Sequence, residues 1–397
     1  MFKKIGPGVL VAAAFVGPGT VTACTLAGVA FGYALLWAML LSIIATVVLQ
    51  EMSARLGIIT QKGLATVIKE ELRTPWIRNT IVGIILGAIV VGNAAYEAGN
   101  IGGATLGMEA VFGQSYSAYY PLLIGVIAFV LLYLGNYKVL EKVLVSLVIL
   151  MSLSFLVTAI VTRPNILEVL RGLLIPTIPE DGILTIIALV GTTVVPYNLF
   201  LHASLVSEKW KSKDDLPAAK RDTFIAIILG GAVSMAIVIA ASTIPNKDVT
   251  SALDLAKGLE PLYGDSARYF MGIGLFAAGI TSAITAPLAA AYVANSCFGW
   301  NAGLKDAKFK SVWIIILGLG VFFLFFGIKP IQIIQFAQVA NGILLPVIAI
   351  FLLWITNKAS VLGKNRNSTL QNVLGVSIII LTLVLGAKSI LKVFGLF

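Results

Sequence analysis

Eleven apolar stretches, each long enough to cross a lipid bilayer, take up most of this 397-residue chain. A helix rises 1.5 Å per residue, so about 20 apolar residues cross the roughly 30 Å of hydrocarbon in a membrane. The stretches therefore predict an all-α integral membrane protein with about 11 transmembrane helices. We place the spans near residues 6–28, 33–54, 79–108, 119–137, 141–162, 183–206, 223–245, 269–296, 311–328, 331–356 and 368–395.

Basic residues are distributed unevenly between the loops that join these spans. If the N-terminus is cytoplasmic, 20 of the 28 Lys and Arg residues lie on the inner side and 8 on the outer side. Cytoplasmic loops of membrane proteins are enriched in Lys and Arg. We therefore predict a multi-pass protein with a cytoplasmic N-terminus, and the short loops favour the inner membrane of a bacterial cell.

The composition argues against several other classes of protein. Hydrophobic residues make up 59% of the chain and charged residues 12%, which excludes a soluble globular protein. One histidine, His202, and two cysteines, Cys24 and Cys297, are too few for a hydrolytic triad, a disulfide framework or a multi-histidine metal centre. The net charge of +10 comes from short loops rather than one basic face. We expect no nucleic-acid partner, no enzyme activity and no cofactor, and assign the cysteines no role.

Two of the spans contain helix-breaking residues at mid-membrane depth. Gly17, Pro18 and Gly19 interrupt the first span, and the segment TTVVPYN, with Pro196, interrupts the sixth. Proline removes an amide hydrogen and obstructs the preceding turn. Freed backbone groups are tolerated in a membrane only where protein, water or substrate satisfies them. Each site taken alone could also be a simple proline kink.

The two breaks occupy equivalent places at the start of each half of the chain. Paired broken helices are typical of transporters built as inverted repeats, which hold the substrate between half-helix ends near the bilayer midplane. We predict a single integral membrane domain over residues 1–397. Its first repeat covers about 5–162, its second about 183–356, and an extra helix covers about 368–395.

Around the breaks the sequence resembles the Nramp (natural resistance-associated macrophage protein) family of proton-coupled divalent metal transporters. The similar segments are IGPGVLVAAAFVGPGT, AGVAFGYALLW, LQEMSARLGI, TVVPYNLFLH, LFAAGITSAIT and AQVANGILLP. The resemblance covers almost the whole chain in order. It implies a LeuT-like fold of 5+5 inverted repeats in which helices 1 and 6 are broken.

The residues that hold the metal in the family are replaced in this chain. There the first break reads Asp-Pro-Gly-Asn and the second Met-Pro-His, and the Asp, Asn and Met side chains are ligands. The equivalent positions here are Gly17, Thr20 and Val195, so the anionic and thioether ligands are absent. Two backbone carbonyl donors and the position after the second proline complete the implied substrate site. The resemblance thus gives the substrate-binding positions as Ala14, Gly17, Thr20, Thr192, Val195 and Tyr197.

Three classes of function remain open at this point. One is a secondary active, proton-coupled symporter of a divalent cation, with magnesium or another hard cation held by carbonyls, hydroxyls and water in place of manganese or iron. Another is a transporter of a small organic solute such as an amino acid, whose charged ends suit half-helix termini. The third is a relative that does not transport. The residues alone favour the solute, whereas the family resemblance favours the cation, and we adopt the cation carrier as the prediction.

Polar residues inside the other spans are candidates for a proton pathway or for lining the cavity. Glu97 is the one acidic residue deep in an apolar span, and by resemblance it matches the acidic position of the family's proton route. By resemblance His202 matches a histidine thought to be protonated during transport, although either residue could be structural. The candidates for cavity lining are Asn93, Asn100, Asn198, Ser282, Thr285, Gln338 and Asn341.

Overall fold

The structure is a computed structural model, and it describes residues 16–135, 138–245, 248–300 and 302–393. These residues are predominantly helical, and no strand occurs among them. The helices are α1 (Pro18–Phe31), α2 (Leu36–Thr60), α3 (Leu64–Glu71), α4 (Pro75–Phe112), α5 (Tyr120–Leu134), α6 (Lys138–Val161), α7 (Ile166–Leu174), α8 (Ile183–Thr193), α9 (Pro196–Lys209), α10 (Leu216–Ala241), α11 (Ala252–Ala256), α12 (Glu260–Tyr263), α13 (Ala267–Phe298), α14 (Ala307–Leu324), α15 (Pro330–Thr356), α16 (Ala359–Leu362) and α17 (Thr369–Val393).

Ten helical segments of the described chain are long and apolar enough to cross a membrane. The sixth span consists of α8 and α9 together, and α1, with 14 residues, is the described part of the first span. The predicted all-α membrane fold is confirmed. Residues 6–15 of the predicted first span lie outside the described residues.

Two predicted spans end at earlier residues in the structure, in each case just before a glycine with a positive φ angle. The fourth span ends at Leu134 rather than near 137, because Gly135 adopts a left-handed conformation with φ 63°. The ninth span runs over Ala307–Leu324 rather than 311–328, and Gly327 has φ 71° just beyond its end. Glycine adopts these angles without the steric penalty of a Cβ atom, so it ends helices readily.

Helices α4 and α13 are the third spans of the two repeats, and they form the most extensive helix pair in the described structure. They contain 38 and 32 residues. Small residues allow their backbones to approach closely: a Cβ atom at Gly279 would lie 2.6 Å from the Ala104 Cβ. The pair lies beside the first break, because a Cβ atom at Gly103 of α4 would lie 2.0 Å from the Pro18 Cβ.

The outer surface of the bundle is apolar. Leu122, Leu153, Ile160 and Val376 are all more than 40% exposed although they lie within spans. Such residues face lipid in a membrane, where exposure of apolar side chains is favourable. The chain is a multi-pass membrane protein.

The loops that follow α2, α9, α13 and α15 lie at the same end of the bundle, which we call the basic end. There Arg55, which is 3% exposed, donates to Glu51 at 3.0 Å and to Asn367 Oδ1 at 2.7 Å, and it also donates to a backbone carbonyl. Lys220 Nζ lies 2.8 Å from Glu51 Oε1, and Gln371 Nε2 donates to Glu51 Oε2 at 2.9 Å. We call these five residues the Arg55 network. It joins α2, α10 and the start of α17.

Candidate functional site

The two breaks have the same local cause. Gly17 and Val195 each precede a proline and are extended, with φ, ψ of −88°, 178° and −78°, 122°. A residue before proline is driven out of the helical region by the proline ring. In the sixth span α8 therefore ends at Thr193 and α9 restarts at Pro196. The residues before 16, including the predicted carbonyl donor Ala14, lie outside the described residues.

A direct hydrogen bond connects the two broken spans. Thr20 Oγ1 and Thr192 Oγ1 are 3.0 Å apart, and both side chains are almost fully buried. The two residues are 172 positions apart in the sequence. The structure therefore brings together two of the substrate-binding positions that the sequence predicted from different halves of the chain.

Gln338 of α15 lies between the two breaks. A Cβ atom at Gly19 would be 2.3 Å from Gln338 Nε2, so the carboxamide occupies the space that a larger residue at position 19 would need. On the other break, a Cβ atom at Gly191 would lie 1.9 Å from the Gln338 carbonyl oxygen. The absence of side chains at these two glycines allows α15 to contact both broken spans.

Three buried carboxamides near the breaks have atoms without hydrogen-bond partners among the described residues. These are both side-chain polar atoms of Asn198, Oε1 of Gln338 and Nδ2 of Asn341. Each of the three residues is 1% exposed. Most buried polar groups in proteins are hydrogen-bonded, so a ligand or water bound at these carboxamides would supply the missing partners.

Val195 and Tyr197 lie at the second break, where α9 begins. Both are buried, and the Tyr197 ring packs edge-on against Tyr96 of α4 with centroids 5.4 Å apart. Glu97 is fully buried next to Tyr96. Tyr96 therefore connects the second break to the helix that carries the candidate proton-pathway carboxyl.

The Glu97 side chain points toward α14 and the polar face of α4. Asn100 Nδ2 donates to Glu97 Oε2 at 3.3 Å, while Glu97 Oε1 has no partner in the described structure. A Cβ atom at Gly320 would lie 2.5 Å from Glu97 Cγ, so α14 packs directly over this carboxyl group. No ion pair to Glu97 occurs among the described residues.

Of the remaining candidates, Asn93 and His202 contact neighbouring helices. Asn93 Nδ2 donates to the Ala286 carbonyl at 2.9 Å and joins α4 to α13. His202 Nε2 lies 3.1 Å from Thr223 Oγ1, and His202 Nδ1 has no described partner. Ser282 is buried, and the half-buried Thr285 donates to a carbonyl of its own helix at 2.8 Å.

A mostly apolar cavity of about 240 Å³ lies beside the breaks. It begins one turn beyond Thr20 on α1 and one turn before Thr192 on α8, and α15 forms its third wall. It therefore extends from the breaks toward the end of the bundle opposite the basic end. Its lining includes Ala23, Leu26, Leu184, Ala188, Gln335 and Val339.

Sequence reasoning missed three groups near the breaks. Tyr96 was not selected because its neighbour Glu97 is the more obvious candidate in the sequence. Its contact with Tyr197 depends on packing between helices that are distant in the sequence. Gln50 of α2 is buried with Oε1 unpartnered, and its place in an apolar span was a usable signal. Met39 Sδ lies 3.6 Å from Thr193 Oγ1, so a thioether stands near the second break although Val195 replaces the family's methionine.

The site is chemically neutral. It offers hydroxyl, carboxamide and backbone groups, and no cluster of three or more His, Cys, Asp or Glu residues occurs in the described chain. Hydroxyl and carbonyl oxygens suit hard cations, and water completes their coordination. The same groups could hydrogen-bond a small polar solute.

The ten described spans, the described part of the first span and the breaks at equivalent places define a membrane protein of the LeuT-like inverted-repeat fold. The family model described as natural resistance-associated macrophage protein-like matches residues 8–392. The chain therefore belongs to the Nramp family, which confirms the resemblance seen in the sequence.

Known proteins agree with this assignment. The chain is 27% identical to the divalent metal cation transporter MntH of Erwinia tasmaniensis, over 97% of this chain and 93% of the relative. It superposes on the Eremococcus coleocola manganese transporter, crystallised with an aromatic bis-isothiourea compound, with a TM-score of 0.79 at 20% identity, covering 98% of this chain and 86% of the other. The crystal structure of MhsT in complex with L-phenylalanine matches with a TM-score of 0.58 at 15% identity, covering 97% of each chain. These two structures share the fold.

Proposed function

We propose that the protein is a secondary active transporter of a divalent cation, with its substrate site between the two breaks. The observation that carries this proposal is the meeting of the two broken spans at the Thr20–Thr192 hydroxyl pair, together with side-chain atoms of Asn198 and Gln338 that have no hydrogen-bond partner among the described residues. Family membership and the curated relative named for divalent metal cation transport support the class of substrate.

The proposed cargo is a hard cation such as magnesium that keeps part of its water shell. Mg²⁺ loses water reluctantly and is often held through a few oxygen ligands and several waters. Thr20, Thr192 and the carbonyls at the breaks would contact the hydrated ion. Gly17 and Val195 provide no anionic or soft side chain to replace that water, and this disfavours a dehydrated manganese or iron ion.

A small organic solute such as an amino acid is the second candidate. The apolar cavity between α1, α8 and α15 favours it, because an apolar side chain would be accommodated there while its charged ends meet the broken helices. The unpaired donors and acceptors of Asn198 and Gln338 suit either substrate.

Proton coupling is proposed to involve Glu97 and His202. Both are fully buried within spans, and each has one polar side-chain atom without a described partner. An ionisable group at this depth is more often functional than structural. Tyr96 and Tyr197 provide the contact between Glu97 and the substrate site.

The proposed cellular setting is the inner membrane of a bacterium, with the basic end of the bundle in the cytoplasm. The excess of Lys and Arg in the loops at that end supports this orientation. The chain is proposed to act as one integral domain, with repeats over about 5–162 and 183–356 and an extra helix over about 368–395.

The test of the site is the double variant Gly17→Asp with Thr20→Asn, which returns the family's first-break side chains. We expect it to introduce or strengthen manganese uptake in proteoliposomes, because a carboxylate and a carboxamide oxygen can bind the dehydrated ion. Gly17→Asn with Thr20→Asn is the matched control, with similar volume and no charge. Manganese uptake that is equal in the wild type and both variants would contradict the assigned positions.

A further inference from the structure

A second pocket, remote from the breaks, lies at the basic end of the bundle. It has a volume of about 370 Å³ and is formed where the turn between α3 and α4 meets the segment that follows α15. Polar and charged side chains form most of its wall. The polar and charged residues of the wall are Glu71, Arg73, Thr74, Lys358 and Ser360.

One side of this pocket is acidic. Lys358 Nζ donates to Glu71 Oε2 at 3.0 Å, and Ser360 Oγ donates to the same oxygen at 3.2 Å. The hydrogen bond from Lys358 is the main cause that lowers the pKa of Glu71 below its ordinary value, so this group is a carboxylate at neutral pH. Its other oxygen, Oε1, accepts no hydrogen bond from the described residues, and the side chain is 25% exposed.

The other side of the pocket is basic. Arg73 is exposed and forms no ion pair within 4 Å among the described residues, although its charge acts on Glu71. Thr74 is the residue before α4, and its side chain makes no capping bond. The first backbone bond of α4 runs from Arg78 to the Thr74 carbonyl, which leaves the Trp76 and Ile77 amides without intrahelical acceptors. The positive end of a 38-residue helix therefore adds to the charge of Arg73.

Tryptophans place the pocket at the depth of lipid headgroups. Trp76, in the first turn of α4, is 70% exposed. Lys358 Nζ lies 4.5 Å from the centre of the Trp354 ring, at the last turn of α15. Tryptophan is enriched at the membrane–water interface because its ring is apolar and its N–H is polar. A ligand of this pocket can thus come from the bilayer itself.

We propose that this pocket binds the headgroup of a membrane phospholipid that carries a primary ammonium next to its phosphate, as phosphoethanolamine does. The ammonium donates to Glu71 Oε1, and the phosphate accepts from Arg73 and from the free amides at the start of α4. An anionic headgroup without an amine leaves Glu71 Oε1 without a donor. A choline headgroup has no N–H to donate, so both are weaker ligands.

Native mass spectrometry of the detergent-purified full chain tests this assignment. It is titrated with phosphatidylethanolamine, phosphatidylcholine and phosphatidylglycerol that have identical acyl chains. We expect the ethanolamine lipid to bind about tenfold more tightly than the choline lipid, which is the effect of one hydrogen bond to a charged group. Equal binding of the three lipids, or tightest binding of the glycerol lipid, would overturn the proposal.

Two variants separate the contributions of the two sides. Glu71→Gln is expected to remove the preference for ethanolamine over choline, and Arg73→Gln to weaken binding of all three lipids. Glu70→Gln and Arg171→Gln are the matched controls, because both residues are exposed and lie outside the pocket. If Glu71→Gln does not fold, the exposed Arg73→Gln carries the test, and unchanged binding in that variant contradicts the site. Soluble O-phosphoethanolamine that displaces the lipid at equal concentration would identify a soluble occupant and refute the lipid.

Discussion

The buried polar residues at the breaks and those of the Arg55 network differ in how completely they are hydrogen-bonded. Within the described chain, no buried side-chain nitrogen or oxygen of Arg55, Glu51 or Asn367 lacks a partner. At the breaks, neither polar side-chain atom of Asn198 nor Oε1 of Gln338 has a partner among the residues that the structure describes. A saturated network fixes helices in place, whereas unpaired groups remain available to a substrate.

This difference in hydrogen bonding also predicts which substitutions reduce stability and which reduce transport. Leaving a buried donor or acceptor unpaired costs about 1–3 kcal/mol, and a ligand that supplies the missing bond offsets this cost. Substitutions in the Arg55 network should therefore affect folding, and substitutions at the breaks should affect transport.

The largest stability effect is expected for Arg55→Gln. It leaves Glu51 with Lys220 as its remaining charged partner and removes the bond to Asn367. Removing one member of a buried ion pair costs about 3–5 kcal/mol. Thermal unfolding in detergent measures this loss. Lys62→Gln is the control, because Lys62 and Glu70 are about half exposed and such pairs contribute at most about 1 kcal/mol. Equal losses of stability in the two variants would show that the Arg55 network stabilises the fold no more than an exposed ion pair does.

Glu97→Gln is expected to abolish uptake driven by a pH gradient while the protein remains folded. The amide keeps the size of the side chain and its contact with Asn100 but cannot carry the proton. Uptake with and without a pH gradient, together with the unfolding temperature, provides the measurement. Glu109→Gln, near the end of the same helix, is the control. Normal proton coupling in Glu97→Gln would refute the proposed relay.

Two buried asparagines, Asn198 and Asn93, allow a hydrogen-bonded side chain to be compared with one that has no described partner. Asn198→Leu removes unpaired groups, so we expect a change in stability below about 1 kcal/mol and roughly tenfold weaker substrate binding. Asn93→Leu removes a bond to the Ala286 carbonyl, so we expect a stability loss of about 1 kcal/mol. Unfolding and binding titrations of both variants provide the test. Unchanged substrate binding in Asn198→Leu would place this residue outside the site.

The smallest effect is expected for the partly exposed Glu71–Lys358 pair. The pKa of Glu71 is lower in the folded state than its ordinary value of 4.5, so the pair stabilises the fold above that pH and loses its contribution as pH falls through the lowered pKa. Glu71→Gln should reduce stability by at most about 1 kcal/mol at neutral pH and by nothing in strong acid. Unfolding temperatures of both proteins across this range measure the difference. A constant difference at all pH values would exclude titration of Glu71 as its cause.

The apolar stretches predicted the spans because membrane helices need a fixed length of apolar sequence. The breaks were equally visible, because proline disfavours the helical conformation of the residue before it, and the helices α1 and α9 begin at Pro18 and Pro196. The short amphipathic helices α3 and α7 were not predicted, since they contain 8 and 9 residues and are too short to cross a bilayer.

Contacts between residues far apart in the sequence could not be predicted from the sequence. The positions of Thr20 and Thr192 followed from repeat symmetry and resemblance, but their hydrogen bond required the fold. The approach of Gln338 to Gly19, and the enclosure of Arg55 by residues more than 300 positions away, depend on how α15 and α17 pack. One sequence carries no information on such pairings until the helices have been assembled.

Uptake into proteoliposomes of the purified protein tests directly whether the chain transports a divalent cation. Magnesium, manganese and a mixture of labelled amino acids are compared, each with and without an inward proton gradient. We expect uptake of a divalent cation, with magnesium preferred over manganese and a stimulation by the gradient. Uptake of amino acids alone would contradict this expectation, and would show that this member of the Nramp family has kept the fold while exchanging its cargo.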